Sequence, residues 1–169
     1  MRILGIDPSI RCTGYAVIET IGKQTKALCF GNIPNPASRA PEKCLLAIAE
    51  GLREVIAAHH PEQAAMEKII YVQSVRTAII MGSARGAALI AVAEAGLSLT
   101  EYPAKLIKKA ATGYGSAQKQ QVGFMMRVLL GLTRTPQADE GDALAVALTH
   151  ARASTLPAAS TLRKKQIHP

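Results

Sequence analysis

The chain has 169 residues, 49% of them hydrophobic, with 20 Lys and Arg against 12 Asp and Glu, and three cysteines. That length suits one domain with a full core, and the composition is too apolar for disorder. No uninterrupted apolar run reaches the roughly 18–20 residues that span a bilayer, and the opening MRILGIDPS turns polar too early for a signal peptide. Cytoplasmic residence without membrane attachment is therefore the expectation. Cys12, Cys29 and Cys44 have no C-x-x-C spacing and form an odd set, which argues against a zinc ribbon or a disulfide framework and predicts buried free thiols. The net charge of +8 favours an anionic partner such as nucleic acid. Part of that excess is Arg163, Lys164 and Lys165 in the last fifteen residues, leaving 17 basic against 12 acidic residues over 1–154.

In chain order, 2–8 (RILGIDP) and 12–20 (CTGYAVIET) read as strands, with Pro8, Ser9 and Gly14 as punctuation. A third strand over 26–33 follows the turn Gly22–Lys23 and completes a meander. Pro34, Pro36 and Pro41 mark a loop in which Ser38 offers a helix cap. Leu45, Ile48, Leu52, Val55 and Ile56 recur at helical spacing over 42–59, and His59, His60 and Pro61 close that helix. A fourth strand is predicted over 63–70, then a long helix over 73–95 whose small residues allow close packing. A fifth strand covers 97–102, and a helix begins at Pro103, a residue favoured at the first helical position. The loop TGYGS (112–116) leads into a helix ending near Gly131, with Phe124, Met125 and Met126 expected in the core. Pro136 introduces the last helix, in which His150 is read as structural. A meander followed by alternating elements implies an α/β fold: a mixed five-stranded sheet flanked by helices on both faces. Residues 1–154 form the domain and 155–169 a mobile basic tail.

The aspartates are unevenly placed. There are only three, and two of them, Asp139 and Asp142, head the alanine-rich run PQADEGDALAVALTH. Acidic residues near a helix N-terminus complement its dipole and satisfy free N–H groups, which is the plain explanation of the pair. Set three apart, the two share a helix face, while Glu140 points elsewhere. Asp7 ends the first strand and Glu67 lies near the end of the fourth. Like charges held close are unfavourable unless a cation compensates them, and carboxylate oxygens suit hard divalent cations such as Mg²⁺. Two such ions about 4 Å apart can activate water and stabilise a leaving oxygen in phosphodiester hydrolysis. Solvated strand ends and dipole-complementing aspartates remain the alternative.

The strings LGIDPSIRCTGYAVI, AAMEKII, GSARGAALIA, GYGSAQKQQV and PQADEGDALAVALTH, in that order and spacing over residues 2–153, resemble the RuvC family of Holliday-junction resolvases. The resemblance implies a ribonuclease-H-like fold, a homodimer, and metal-dependent cutting of four-way DNA junctions in recombination and repair. The cofactor it implies is Mg²⁺, two ions per site, for which Mn²⁺ can substitute. It places catalytic and metal-binding roles on Asp7, Glu67, Asp139 and Asp142. Phosphate or transition-state contacts fall on Lys108 and Lys119, and DNA contacts on Ser116, which can also cap its helix. A branch-migration motor is implied as a partner, and a two-fold interface near the 73–95 helix.

The chain departs from the family at several positions. Ser9 and Ile10 follow D-P where the family has Gly and a polar residue. Ile70, followed by Tyr71, stands where many relatives have a phenylalanine that wedges at the junction core. Ser74 stands where relatives often have Asn. Aromatic stacking on a base contributes roughly 1–3 kcal/mol, so Ile70 bears on junction opening and cleavage preference. Competing readings are a non-catalytic junction-binding protein and an actin-like nucleotide-binding fold, which also begins G-I-D and T-G. The latter needs a second glycine-rich phosphate motif, which this sequence lacks.

Overall fold

The computed structural model describes residues 1–22, 24–70 and 74–155. Ten elements follow in order: strands β1 (Arg2–Asp7), β2 (Cys12–Ile21) and β3 (Gln24–Pro34), helix α1 (Pro41–His59), β4 (Gln63–Glu67), α2 (Val75–Glu94), β5 (Ser98–Tyr102), α3 (Ala104–Thr112), α4 (Lys119–Leu129) and α5 (Ala138–Thr155). The strands form one sheet in the order β3-β2-β1-β4-β5, with the meander antiparallel and β1, β4 and β5 parallel. The expected order of elements and the mixed α/β sheet are both present. The tail expected over 155–169 lies outside the described residues except for Thr155, which ends α5; Lys23, Tyr71 and His168 lie outside them too.

Strand side chains alternate between faces, and here that alternation sorts the core into two layers. Leu4, Ile6, Val17, Ala64 and Met66 pack against α1 and α2. Ile3, Ala16, Ile18 and Ala65 pack on the other face against α3, α4 and α5. The second layer is built around α5, whose residues Gly141 and Ala143–Ala151 are all buried. A helix apolar on every side reads as central, and α5 crosses β1 and β2 with α3 and α4 along its flanks.

α5 lies close because the sheet under it lacks side chains. A Cβ on Gly5 would sit 2.1 Å from the Ala143 carbonyl oxygen, and one on Gly14 would sit 2.1 Å from that of Asp139. Both obstacles are backbone and cannot rotate away. Any larger residue at Gly5 or Gly14 must lift the helix.

Several boundaries depart from the sequence reading. β4 stops at Glu67 rather than 70, because Glu67 is its last residue paired with β5 and the Lys68 N–H then donates to the Tyr102 carbonyl. Beyond it Ile69 and Ile70 leave the sheet. Ser38 does not cap α1: Ala40 precedes the helix and Pro41 presets its first turn. Pro103 precedes α3 instead of opening it. Phe124 is 53% exposed, since the buried residues of α4, Val122, Gly123 and Met126, turn toward α5 and leave Phe124 outside. Cys44 is buried as expected, whereas Cys12 and Cys29, at a strand start and on the edge strand, are half-buried.

His150 is structural. Its Nδ1 lies 2.8 Å from the Tyr102 hydroxyl and its Nε2 lies 2.6 Å from Gln63 Oε1, joining α5 to β5 and β4. Burial lowers its pKa below 6.5, so the fold favours the neutral ring. Above pH 6.5 both folded and unfolded chains hold it neutral. As pH falls below that value the unfolded chain takes the proton first, and stability is lost. In metal-free protein, the difference in melting temperature between wild type and His150→Gln is therefore expected to shrink from pH 7 to pH 5. A constant difference across that range would refute the coupling.

Candidate active site

Asp7 and Glu67 end neighbouring parallel strands, one residue beyond the pair Ile6–Met66. Both fall on the α5 side of the sheet by alternation, in step with Ile3, Gly5 and Ala65. Adjacent strands lie about 4.8 Å apart, so the two carboxylates leave the sheet edge together. Across the sheet Asp7 pairs with Gly14, and Gly14 pairs with Asn32. The first turn of α5 sits on this row: the Asp139 backbone lies over Gly14, and Gln137 Oε1 accepts from Asn32 Nδ2 at 2.8 Å. Strand ends and helix head thus converge from opposite ends of the sequence.

The convergence forms a cleft of about 460 Å³. Asp7, Glu67, Asp142, Lys68, Lys108 and Lys119 supply its polar wall, while Pro8, Ile69, Ile70, Met81 and Val122 are among its apolar lining. Lys119 Nζ forms an ion pair with Asp142 Oδ2 at 2.8 Å. Asp139 stands at the margin, beside Cys12. The thiol of Cys12 is pushed up to about 11, first by burial and then by the Asp139 carboxylate, which accepts from the protonated sulfur. Glu140 faces away, as expected, with Oε2 2.7 Å from Arg134 Nη1.

The charge balance is unfavourable. The Asp7 carboxyl is pushed up to about 7, chiefly by burial and then by Asp142, with Asp139 and Glu67 adding to the effect and Lys119 opposing it. Glu67 is raised as well, by burial and by Asp142, against Lys119 and Lys108. The Lys119 ammonium is raised by its hydrogen bond to Asp142 and by the fields of Asp142, Asp7 and Asp139. Among the described residues no three His, Cys, Asp or Glu side chains stand ready to hold a metal ion as placed. The donor chemistry nevertheless fits one. Oxygen donors are what hard divalent cations take, and a half-buried carboxyl pushed up to about 7 is a group that added positive charge would relieve. Like charges spread apart without such a charge, and Lys119 partly substitutes for it on Asp142.

Of the DNA contacts suggested by the sequence, Lys108, Lys119 and Ile70 reach the cleft, and Ile70 is 71% exposed beside it. Ser116 does not. It lies with Tyr114 and Phe124 in a separate groove on the outer side of α4. Nor does it cap that helix: Gln118 is the cap, with Gln121 returning the hydrogen bond. Ser74, by contrast, caps α2 by accepting from the Thr77 N–H at 3.2 Å, a role Asn fills equally well. Sequence reasoning missed Met81, whose place on α2 carries no sign that the helix reaches the cleft.

Acidic groups at two central strand ends, met by a helix laid across a sheet of order 3-2-1-4-5, are the arrangement of a ribonuclease-H-like nuclease. The pattern of one family, described as crossover junction endodeoxyribonuclease RuvC, matches residues 3–150. The chain is 51% identical over 150 residues to the protein of that name from Akkermansia muciniphila, covering 89% of this chain and 90% of the relative. It is 44% identical over 162 residues to the one from Halorhodospira halophila, covering 95% and 96%. T. thermophilus RuvC in complex with Holliday junction substrate superposes with a TM-score of 0.85 at 32% identity, covering 91% of this chain and 94% of that one. The yeast mitochondrial Holliday junction resolvase Ydc2 shares the fold, with a TM-score of 0.63 at 11% identity, 89% of this chain and 77% of that one being covered. The chain belongs to the RuvC family.

The seat of α5 can be tested directly. Gly14→Ala is expected to destabilise the fold by about 1–3 kcal/mol, the usual range for overpacking. Urea denaturation measures it, and a variant as stable as wild type would show that α5 is not held at this contact.

Proposed function

We propose that this chain is a structure-selective endonuclease that resolves four-way DNA junctions by symmetric, metal-dependent hydrolysis of phosphodiester bonds. The observation that carries the reading is the meeting of Asp7 and Glu67 with the head of α5 in a cleft that also holds three lysines, Lys68, Lys108 and Lys119, within a chain of the RuvC family. Asp7, Glu67, Asp139 and Asp142 would hold the divalent cations, Mg²⁺ in the first instance and two per site. Such cations, when bound, lower the pKa of a water and neutralise charge on the reacting phosphate. The remaining chemistry belongs to the chain. Lys108, half-buried at the cleft, offers a fixed positive charge to the scissile phosphate. Lys119 can exchange its bond to Asp142 for one to a phosphate oxygen. The apolar residues beside the charges, Val122 and Ile69 among them, lower the local dielectric, which strengthens each interaction. Ile70 projects where a relative would present an aromatic ring, so it would wedge the junction core by apolar contact without stacking. Tyr71, next along the chain, would be the stacking residue. Ser116 would meet a more distant stretch of backbone.

Symmetric cleavage needs two sites, and the surface of α2 supports a homodimer. Val75, Ile79 and Ile90 are 78%, 64% and 53% exposed. They line one stripe with Gly82 and Gly86, above which nothing lies within 4 Å. Among the described residues α2 alone is long and apolar enough, by length and composition, to cross a membrane. Its Ala84, Ala87, Ala88 and Ala91 are in the core, however, and Arg76 and Arg85 interrupt it. An exposed apolar stripe on such a helix fits a protein partner of the same kind. A branch-migration motor as further partner, and a cytoplasmic setting, belong to the proposal.

The first test is a labelled four-way junction and a matched linear duplex, each with Mg²⁺ or EDTA. Paired nicks on the junction alone, abolished by EDTA, are expected; junction binding without cutting would leave a binding module. Asp7→Asn and Asp142→Asn should each lower single-turnover cleavage at least about a hundredfold, beyond what loss of an outer partner of a ligand costs. Lys119→Met should move two quantities in opposite directions, tightening Mn²⁺ binding by removing a competing cation while slowing cleavage. If both fell together, Lys119 would not compete for Asp142.

A further inference from the structure

The acidic residue of α5 that the nuclease reading leaves unused is Glu140. It lies between two candidate metal ligands, on the opposite side of the helix from the cleft, and is 4% exposed. Buried carboxylates require full pairing, and this one has it. Its Oε2 and Oε1 accept from Arg134 Nη1 and Nη2 at 2.7 and 2.8 Å, a bidentate fork. Oε2 also accepts from the backbone N–H of Gln137 at 2.7 Å. That donor would otherwise be free, since Gln137 precedes the helix and its carbonyl accepts the early helical bond from Gly141 at 2.8 Å.

The other ends of this cluster are anchored on β3. The Arg134 guanidinium stacks over the Phe30 ring, 4.6 Å from its centre. The Gln137 side chain is held by Asn32, two residues along the same strand. Asn32 is the partner of Gly14, and Gly14 is the partner of Asp7. The first turn of α5 is therefore tied to β3 on one side and pressed onto β2 at Gly14 below. Its phase about the helix axis, which aims Asp139 and Asp142, is fixed by contacts outside the cleft.

We propose that the Arg134–Glu140 pair, tied through Gln137 to Asn32, is a positioning device that holds Asp139 and Asp142 in the orientation needed to bind metal. It rests on the nuclease reading above. Glu140 touches neither substrate nor metal and acts only through its neighbours. Without the fork, the head of the helix would remain folded, held by Gly14, but would turn more freely, so metal affinity would suffer before stability or junction binding does.

Two variants separate this from simple capping. Glu140→Gln keeps an acceptor for the Gln137 N–H and loses the charged fork. Asn32→Ala cuts the tie to β3 and leaves the buried pair intact, so folding survives in at least one of them. The measurements are Mn²⁺ affinity by calorimetry on metal-free protein, the Mg²⁺ concentration for half-maximal junction cleavage, junction affinity in EDTA, and melting temperature. Both variants are expected to weaken Mn²⁺ binding and raise the Mg²⁺ requirement about tenfold, the lower end of the effect of losing an outer partner. Junction affinity in EDTA should stay at the wild-type value, and saturating Mg²⁺ should restore most of the cleavage rate. Unchanged Mn²⁺ affinity in both variants would overturn the proposal, as would losses of all four properties in proportion to the unfolded fraction. A wild-type protein that neither binds Mn²⁺ nor cuts junctions would sink the nuclease reading and this inference together, before any variant is compared.

Discussion

The arrangement depends on one steric constraint: α5 can lie across β1 and β2 only because Gly5 and Gly14 give the sheet no side chains beneath it. Two backbone carbonyls occupy the space where Cβ atoms would be. That contact sets the height of the helix above the sheet, and the row Asp7–Gly14–Asn32 sets its position along the strands. A ligand set drawn from both ends of the chain needs such a reference. A packed core transmits small displacements because its voids are few, so a helix raised by one methyl group would carry its carboxylates with it.

The same closeness generates the electrostatic problem that the site exploits. Asp7 lies where β1 has already turned its neighbours inward, and burial outweighs any single charge in raising its pKa. In a stable core such a group would have been replaced by an apolar residue or paired outright, as Glu140 is with Arg134. Glu140 and the cleft carboxylates therefore contrast. Glu140 is fully paired and holds position, whereas among Asp7, Asp142 and Glu67 only Asp142 has an ion pair with a cleft lysine, Lys119. Carboxylates crowded enough to raise the pKa of Asp7 and Glu67 are a stored affinity for cations.

Much of this was legible in the sequence because it follows from alternation and spacing. A period of two puts Ile3, Gly5 and Asp7 on one face, and a separation of three puts Asp139 and Asp142 on one side of a helix. Each is local, and each was readable. That the strand face and the helix face meet is a long-range fact, and the resemblance to a known family supplied it. What stayed hidden was of that kind as well. The approach of Met81 to the cleft depends on the tilt of α2. The end of β4 at Glu67 depends on where β1 and β5 stop. Ser116 sat next to a motif and was read with it, but the turn after Gly113, at φ 85°, sends it to the far side of α4.

α5 also shows why sequence periodicity understates a central element. Its apolar residues surround the axis, so no stripe distinguishes an inner face, and Ala143, Ala145 and Ala147 are as buried as Leu144 and Val146. Alanine serves here because the helix is packed on several sides and each neighbour must come near. The small residues that make the helix look featureless are what let it lie within reach of Asp7. Its one acidic turn is left to carry the specificity of the site, and the polar ties to Asn32 and Arg134 are concentrated at that turn. At the opposite end His150, held by Tyr102 and Gln63, fixes the helix to β4 and β5 by neutral hydrogen bonds. Negative charge is confined to the end that faces the cleft, Arg152 in the last turn donates to the Ala110 carbonyl, and the stretch between is held by shape.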